Sequence, residues 1–179
     1  MEVGGKLTEG LKFLRPGRVG PYSRVVWPAP GDWLESEAES ELCKRGIHAV
    51  LPDVLSRWVA EELWFVELDG AELAASGILV APRGRLVARV EEWNDETARE
   101  FARACAAHVA HATEGRAGEY AADANASAET AGADFTATTV AYMAAHAAEA
   151  QSPGDFEAER LWQSRWLADR LGIASLQPA

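Results

Sequence analysis

The chain predicts an α+β fold: an N-terminal mixed or antiparallel sheet with one inserted helix, then three to four Ala-rich C-terminal helices. Three observations predict it. Residues 11–93 carry short apolar runs punctuated by Pro and Gly. After Trp93, alanine dominates and apolar residues recur at helical spacing behind capping residues. The two characters follow one another instead of alternating, which is the α+β order.

The first strand candidate is Leu11-Lys12-Phe13-Leu14, stopped by Pro16-Gly17, and the second is Val25-Val26-Trp27, closed by Pro28 and Pro30. Glu35, Glu37, Glu39 and Glu41 then alternate through a polar stretch. That stretch reads as a solvated loop, with binding of a cation or a basic partner as the functional alternative. Ile47 to Val50 reads as a buried strand. Pro52 opens a helix, because proline is tolerated at the first helical position, and Leu51, Leu55, Trp58 and Val59 give that helix an apolar stripe. Leu63 to Leu68 is the strongest strand, ended by the turn signal Asp69-Gly70. Ile78 to Val80 and Leu86 to Val90 follow, separated by a turn at Pro82-Arg83-Gly84.

Asn94 or Asp95 caps a helix running to about Ala112. Gly115 and Gly118 interrupt, and residues 119–131 are the weakest helix. Asp134 caps a further helix to about Ala150. Ser152-Pro153-Gly154-Asp155 opens the last one, with Ser as cap and Pro at the first position, and it ends at Gly172. The expected organisation is a β-rich domain over 1–93 and an Ala-rich helical region over 94–179. The helical region either packs on the sheet or serves oligomerisation.

The chain has 179 residues and a net charge of −11. That balance disfavours nucleic acid, whose binding rests on Lys and Arg against phosphate, and it disfavours an anionic membrane surface. Arg83, Arg85 and Arg89 form the one local basic cluster. The first ten residues lack the apolar segment of a signal peptide, and no apolar run approaches the roughly 20 residues of a membrane span. A cytoplasmic location is expected. Cys43 and Cys105 show no metal-type spacing and read as reduced structural thiols.

Three constellations can carry chemistry. His108, His111 and Glu114 share a helical face, and His146 with Glu149 repeats the interval; facing helices of this kind can hold a divalent metal. The Glu-x-x-His order of di-metal bundles is absent, so these are weak ligands and no cofactor is assigned. Cys43 and His48 form a nucleophile couple only if the ring lies within hydrogen-bond reach. The third is a set of aromatics and arginines: Trp27, Trp33, Trp58, Trp64 and Trp93 with Arg15, Arg18 and Arg24. Trp residues on strands are usually core, but a few beside an Arg can line a pocket for an anionic small molecule. The candidate pocket set is Arg15, Trp27, His48, Trp58 and Glu67. Gly17-Arg18-Val19-Gly20 is not a phosphate loop.

Lys12 to Gly17, Cys43 to Ala49 and Leu63 to Gly70 together resemble the ordered landmarks of an uncharacterised family of small bacterial and phage proteins, over about residues 11–93. That resemblance implies no activity. The same order is similar to ADP-ribosyltransferase-like folds, with Val80-Ala81-Pro82-Arg83-Gly84-Arg85-Leu86 in place of their late hairpin. In that family a Glu just before the hairpin stabilises an oxocarbenium ion. The matching positions here are Gly77 and Ile78, and Glu72 is the nearest carboxylate upstream.

Three functional readings follow. The leading one is a non-catalytic binding or interaction protein. It has a small-molecule ligand, or a protein partner or second copy docked through the C-terminal helices, where Trp162 and Trp166 are the anchors. The second is an ADP-ribosyltransferase-like or other nucleotide-handling enzyme using Arg15, His48 and Glu67 or Glu72. The third is a metal site on His108, His111 and His146.

Overall fold

The computed structural model describes residues 7–36, 46–74 and 77–173. Strands β1 (Leu7–Leu14), β2 (Leu34–Glu35) and β3 (Ile47–Val50) lead to a 3-10 helix, η1 (Pro52–Trp58). Then come β4 (Glu62–Asp69), β5 (Glu72–Ala74), β6 (Ile78–Ala81) and β7 (Arg83–Arg89). Four helices complete the chain: α1 (Asp95–His108), α2 (Gly115–Ala128), α3 (Phe135–Gln151) and α4 (Asp155–Arg170). The fold is α+β, with one seven-stranded sheet in the order β2-β7-β4-β1-β3-β6-β5 and every pair antiparallel.

Period-two alternation sorts the strands onto two faces. Leu11, Phe13, Val50 and Leu63 join Phe101, Val140 and Leu167 in a core shared by sheet and helices. Leu14, Ile47, Trp64, Val66 and Leu86 build a second core with Trp27 on the other face. β6 and β7 are parted only by Pro82, yet they stand far apart in the strand order. The sheet must therefore curl, bringing its two limbs together around the second core. Gly84 marks the meeting point. A Cβ there would lie 2.7 Å from Leu68 Cδ2 and 2.9 Å from Ile47 Cγ2, so only glycine allows β7 to close on β3 and β4.

Trp93, buried where sheet gives way to helices, donates its Nε1–H to the Ala60 carbonyl at 2.8 Å and meets Phe13 edge-on. α2 presents Ala117, Ala121, Ala124 and Ala128 to the core, and α3 presents Ala137, Ala141 and Ala144. Their small side chains let the two backbones approach closely. One core thus crosses the boundary at residue 93, and the helical half packs on the sheet. Among the described residues no helix is long and apolar enough to cross a membrane.

Several elements differ from expectation. Val25 and Val26 are exposed, and only an isolated bridge, Val19↔Val26, forms there. β2 and β5 are short edge strands without an apolar pattern, so local sequence does not announce them. Pro82 is a bend within one extended segment and not a hairpin turn. α1 stops at His108. α2 starts at Gly115, and Gly118 lies inside it, where a Cβ would collide with the Thr113 backbone at 2.6 Å. Ser152 closes α3. The start of α4 is capped by the Glu149 carboxylate, which accepts from Gly154 N and Phe156 N. Asn94 and Asp134 cap as expected. Asn94 Oδ1 accepts from Glu96 N and Thr97 N, so Asn94→Ala should lower stability by about 1 kcal/mol in urea denaturation.

Candidate functional site

β1 runs the full length of β4, but it meets β3 at one register only, Leu11↔Val50. Beyond that pair the two central strands part, and a cavity of about 450 Å³ lies beside the opening. Residues from both sheet faces border it. Phe13 and Val50 belong to the helix side of the sheet, Ala49 to the second core, and Lys12 sits between Leu11 and Phe13 with the opposite orientation. Trp58, at the end of η1, forms a wall. Tyr22, exposed on the 21–23 turn, stands edge-on to Trp58 at 5.8 Å and marks the mouth.

His48 is half-buried on β3, where Gly46 turns into the strand with φ +98°. Its Nδ1 lies 3.1 Å from the Gly46 carbonyl. A carbonyl only accepts, so Nδ1 carries the proton and Nε2 the lone pair. Burial and the nearby Lys12 charge push the His48 pKa below its ordinary value, against a smaller upward pull from the Gly46 carbonyl. The ring is therefore neutral at pH 7.

Lys12 also lines the cavity. Burial lowers its amine from 10.5 to about 8. Its Nζ lies 5.9 Å from the centre of the Trp27 ring, and among the described residues no carboxylate pairs with it. The Trp58 Nε1–H is buried and has no partner among the described residues. No Asp or Glu lines the cavity among the described residues.

Of the five pocket candidates, the structure brings His48 and Trp58 to the cavity. Trp27 is 3 % exposed and lies in the second core under Lys12. Arg15 is exposed and makes a backbone bridge with Val19. Glu67 forms an ion pair with Arg85 on the β4–β7 ladder, away from the cavity. Glu72 is exposed on β5. Cys43, Glu37, Glu39 and Glu41 lie outside the described residues. Lys12 and Tyr22 were missed by sequence reasoning. The available signal for Lys12 was a single cation inside an apolar strand.

The other constellations are occupied. Arg83 pairs with Asp69, Arg85 with Glu67, and Arg89 approaches Glu62 and Glu91. Arg83 and Arg85 also flank the Trp33 ring, each at 4.8 Å. The histidines do not converge. His108 bonds Glu159 at 2.6 Å and stacks flat on Trp162 at 3.7 Å. His146 lies among Tyr120, Tyr142 and Phe156. His111 is exposed, and Glu149 is committed to capping α4. Among the described residues no three metal-ligating side chains come together. Trp162 and Trp166 are half-buried against the helical core. Cys105 is a buried free thiol, its pKa pushed well up by burial.

No protein-family model, no curated protein and no solved structure matches the chain.

Proposed function

We propose that this chain is a binding protein that takes a small, mainly apolar molecule between β1 and β3. The observation that carries this reading is the cavity itself. Its volume falls within the roughly 300–1,000 Å³ of small-molecule sites. Apolar and aromatic walls from the sheet and η1 surround a few polar groups, the composition that such sites use to hold and orient a ligand. A nucleotide-transfer reading needs a carboxylate beside the bound sugar, and no described lining residue supplies one.

The test is a thermal melt against small aromatic acids and amides, NAD, ADP-ribose, and zinc, manganese and iron salts with chelator controls. A ligand at 100 times its dissociation constant adds roughly 2.7 kcal/mol, which moves the midpoint by a few degrees. We expect a rise with aromatic compounds that is abolished by Ser23→Trp, which fills the cavity from its exposed rim without touching the core. His48→Ala should weaken binding with little change in the unliganded melt. A rise confined to NAD or ADP-ribose would replace this reading with nucleotide handling. A chelator-reversible rise with a metal would replace it with the histidine site, and no rise at all would remove it.

A further inference from the structure

We propose that the molecule held between β1 and β3 is a small organic carboxylate with an aromatic or apolar body, and that Lys12 is its counter-charge. This rests on the binding reading above and adds the ligand's chemical class.

The polar groups around the cavity are unbalanced. Lys12 offers an ammonium, which donates only and has no lone pair to accept. The Ser23 oxygen already accepts from Val25 N at 3.3 Å, leaving its own proton to donate. The Gly46 carbonyl is taken by His48. A desolvated cation without a counter-ion is costly. A ligand carboxylate supplies the negative charge that the described lining residues lack. A neutral body fits the remaining walls, where Phe13, Trp58 and Tyr22 offer ring faces and edges.

The charged groups near Lys12 do not supply that charge themselves. Glu62 shares its face of β4, but its carboxylate is engaged by Trp64 Nε1 at 3.0 Å and approached by Arg89 at 3.9 Å. His48, from β3, is neutral at pH 7, and the Trp27 ring approaches the Lys12 amine without bringing a charge. The chain as a whole is strongly acidic, so its long-range field repels anions. An anion that binds here does so through a local contact, and removing one side chain should remove the preference.

The experiment is a calorimetric or NMR titration of 2-naphthoate and its neutral isostere 2-naphthamide against the intact chain and Lys12→Met. For the wild type at pH 7 we expect the acid to bind at least about tenfold tighter than the amide. That preference should fall about tenfold by pH 9, as the Lys12 amine loses its proton near 8. Lys12→Met should bind both compounds equally, with no pH dependence across that range. Equal binding of acid and amide by the wild type would overturn the carboxylate inference while leaving the cavity as a binding site. So would an acid preference that survives in Lys12→Met. Binding of neither compound, with the chain folded by circular dichroism, would overturn the cavity reading and this inference with it.

Discussion

Replacing Lys12 with Met is expected to stabilise the unliganded protein at pH 7 by about 3 kcal/mol. The unfolded chain holds the Lys12 proton up to about 10.5, and the folded chain only up to about 8. Between those values the unfolded state binds more protons, so wild-type stability rises as pH climbs through that window. Below about pH 8 the penalty is fully present. Its physical cause is desolvation of the ammonium by burial. Methionine keeps a long flexible stem and discards the charge. Urea denaturation of both proteins from pH 7 to 11 measures the effect. The advantage of the variant should shrink steadily above pH 8 and level off past 10.5. Equal stabilities at pH 7 would show that the ammonium reaches water, and would also weaken its case as a ligand's counter-charge.

Glu159→Ala is expected to destabilise the fold by about 1–3 kcal/mol. Glu159 is 4 % exposed on α4, and its two oxygens meet His108 Nδ1 and Gln163 Nε2. Next to it, buried Arg160 donates to the Ser56 carbonyl at 2.7 Å and to Gln163 Oε1 at 2.8 Å. Ser56 Oγ returns a bond to the Arg160 carbonyl, and Ser164 donates to Ser56 Oγ at 2.8 Å. Burial pulls the Arg160 guanidinium below its ordinary pKa. Removing the carboxylate takes the partner of His108 Nδ1 away and leaves Gln163 Nε2 bonded to the Ala141 carbonyl alone. Glu159→Gln retains an acceptor oxygen and should cost less. Chemical denaturation of the two variants checks the order. Because this network fixes α4 to η1, and η1 carries Trp58, Glu159→Ala should also weaken ligand binding at the cavity. A loss under about 1 kcal/mol would mean that water replaces the bonds.

The two regions differ in how sequence encodes them. Around His108 every partner was visible as a residue type, but the interval of three between His108 and His111 pointed to a metal. The structure instead gives His108 a carboxylate and an indole from α4, about fifty positions on. At the cavity, His48 and Trp58 were legible as residue types, a histidine within an apolar strand and a tryptophan on the apolar stripe of η1. Arg15, three positions along, was named for the pocket, and Lys12 was not. Which of the two sits inside the curled sheet depends on the pairing of β1 with β4, and on Trp27 folding back over it.

The sequence by itself determined the class and the starts of η1, α1 and α3. Apolar period, proline at the start of η1, and the Asn94 and Asp134 caps all act within four residues of where they are read. The tertiary structure alone decided which strands meet, where the sheet curls and which charge is buried. Lys12 faces Trp64 across some fifty residues, Ser56 meets Arg160 across about a hundred, and Gly84 closes on Ile47 only because Pro82 turns one strand toward both limbs. Such contacts are set by the collective packing of two cores, whose residues carry no local mark of the partner they will find.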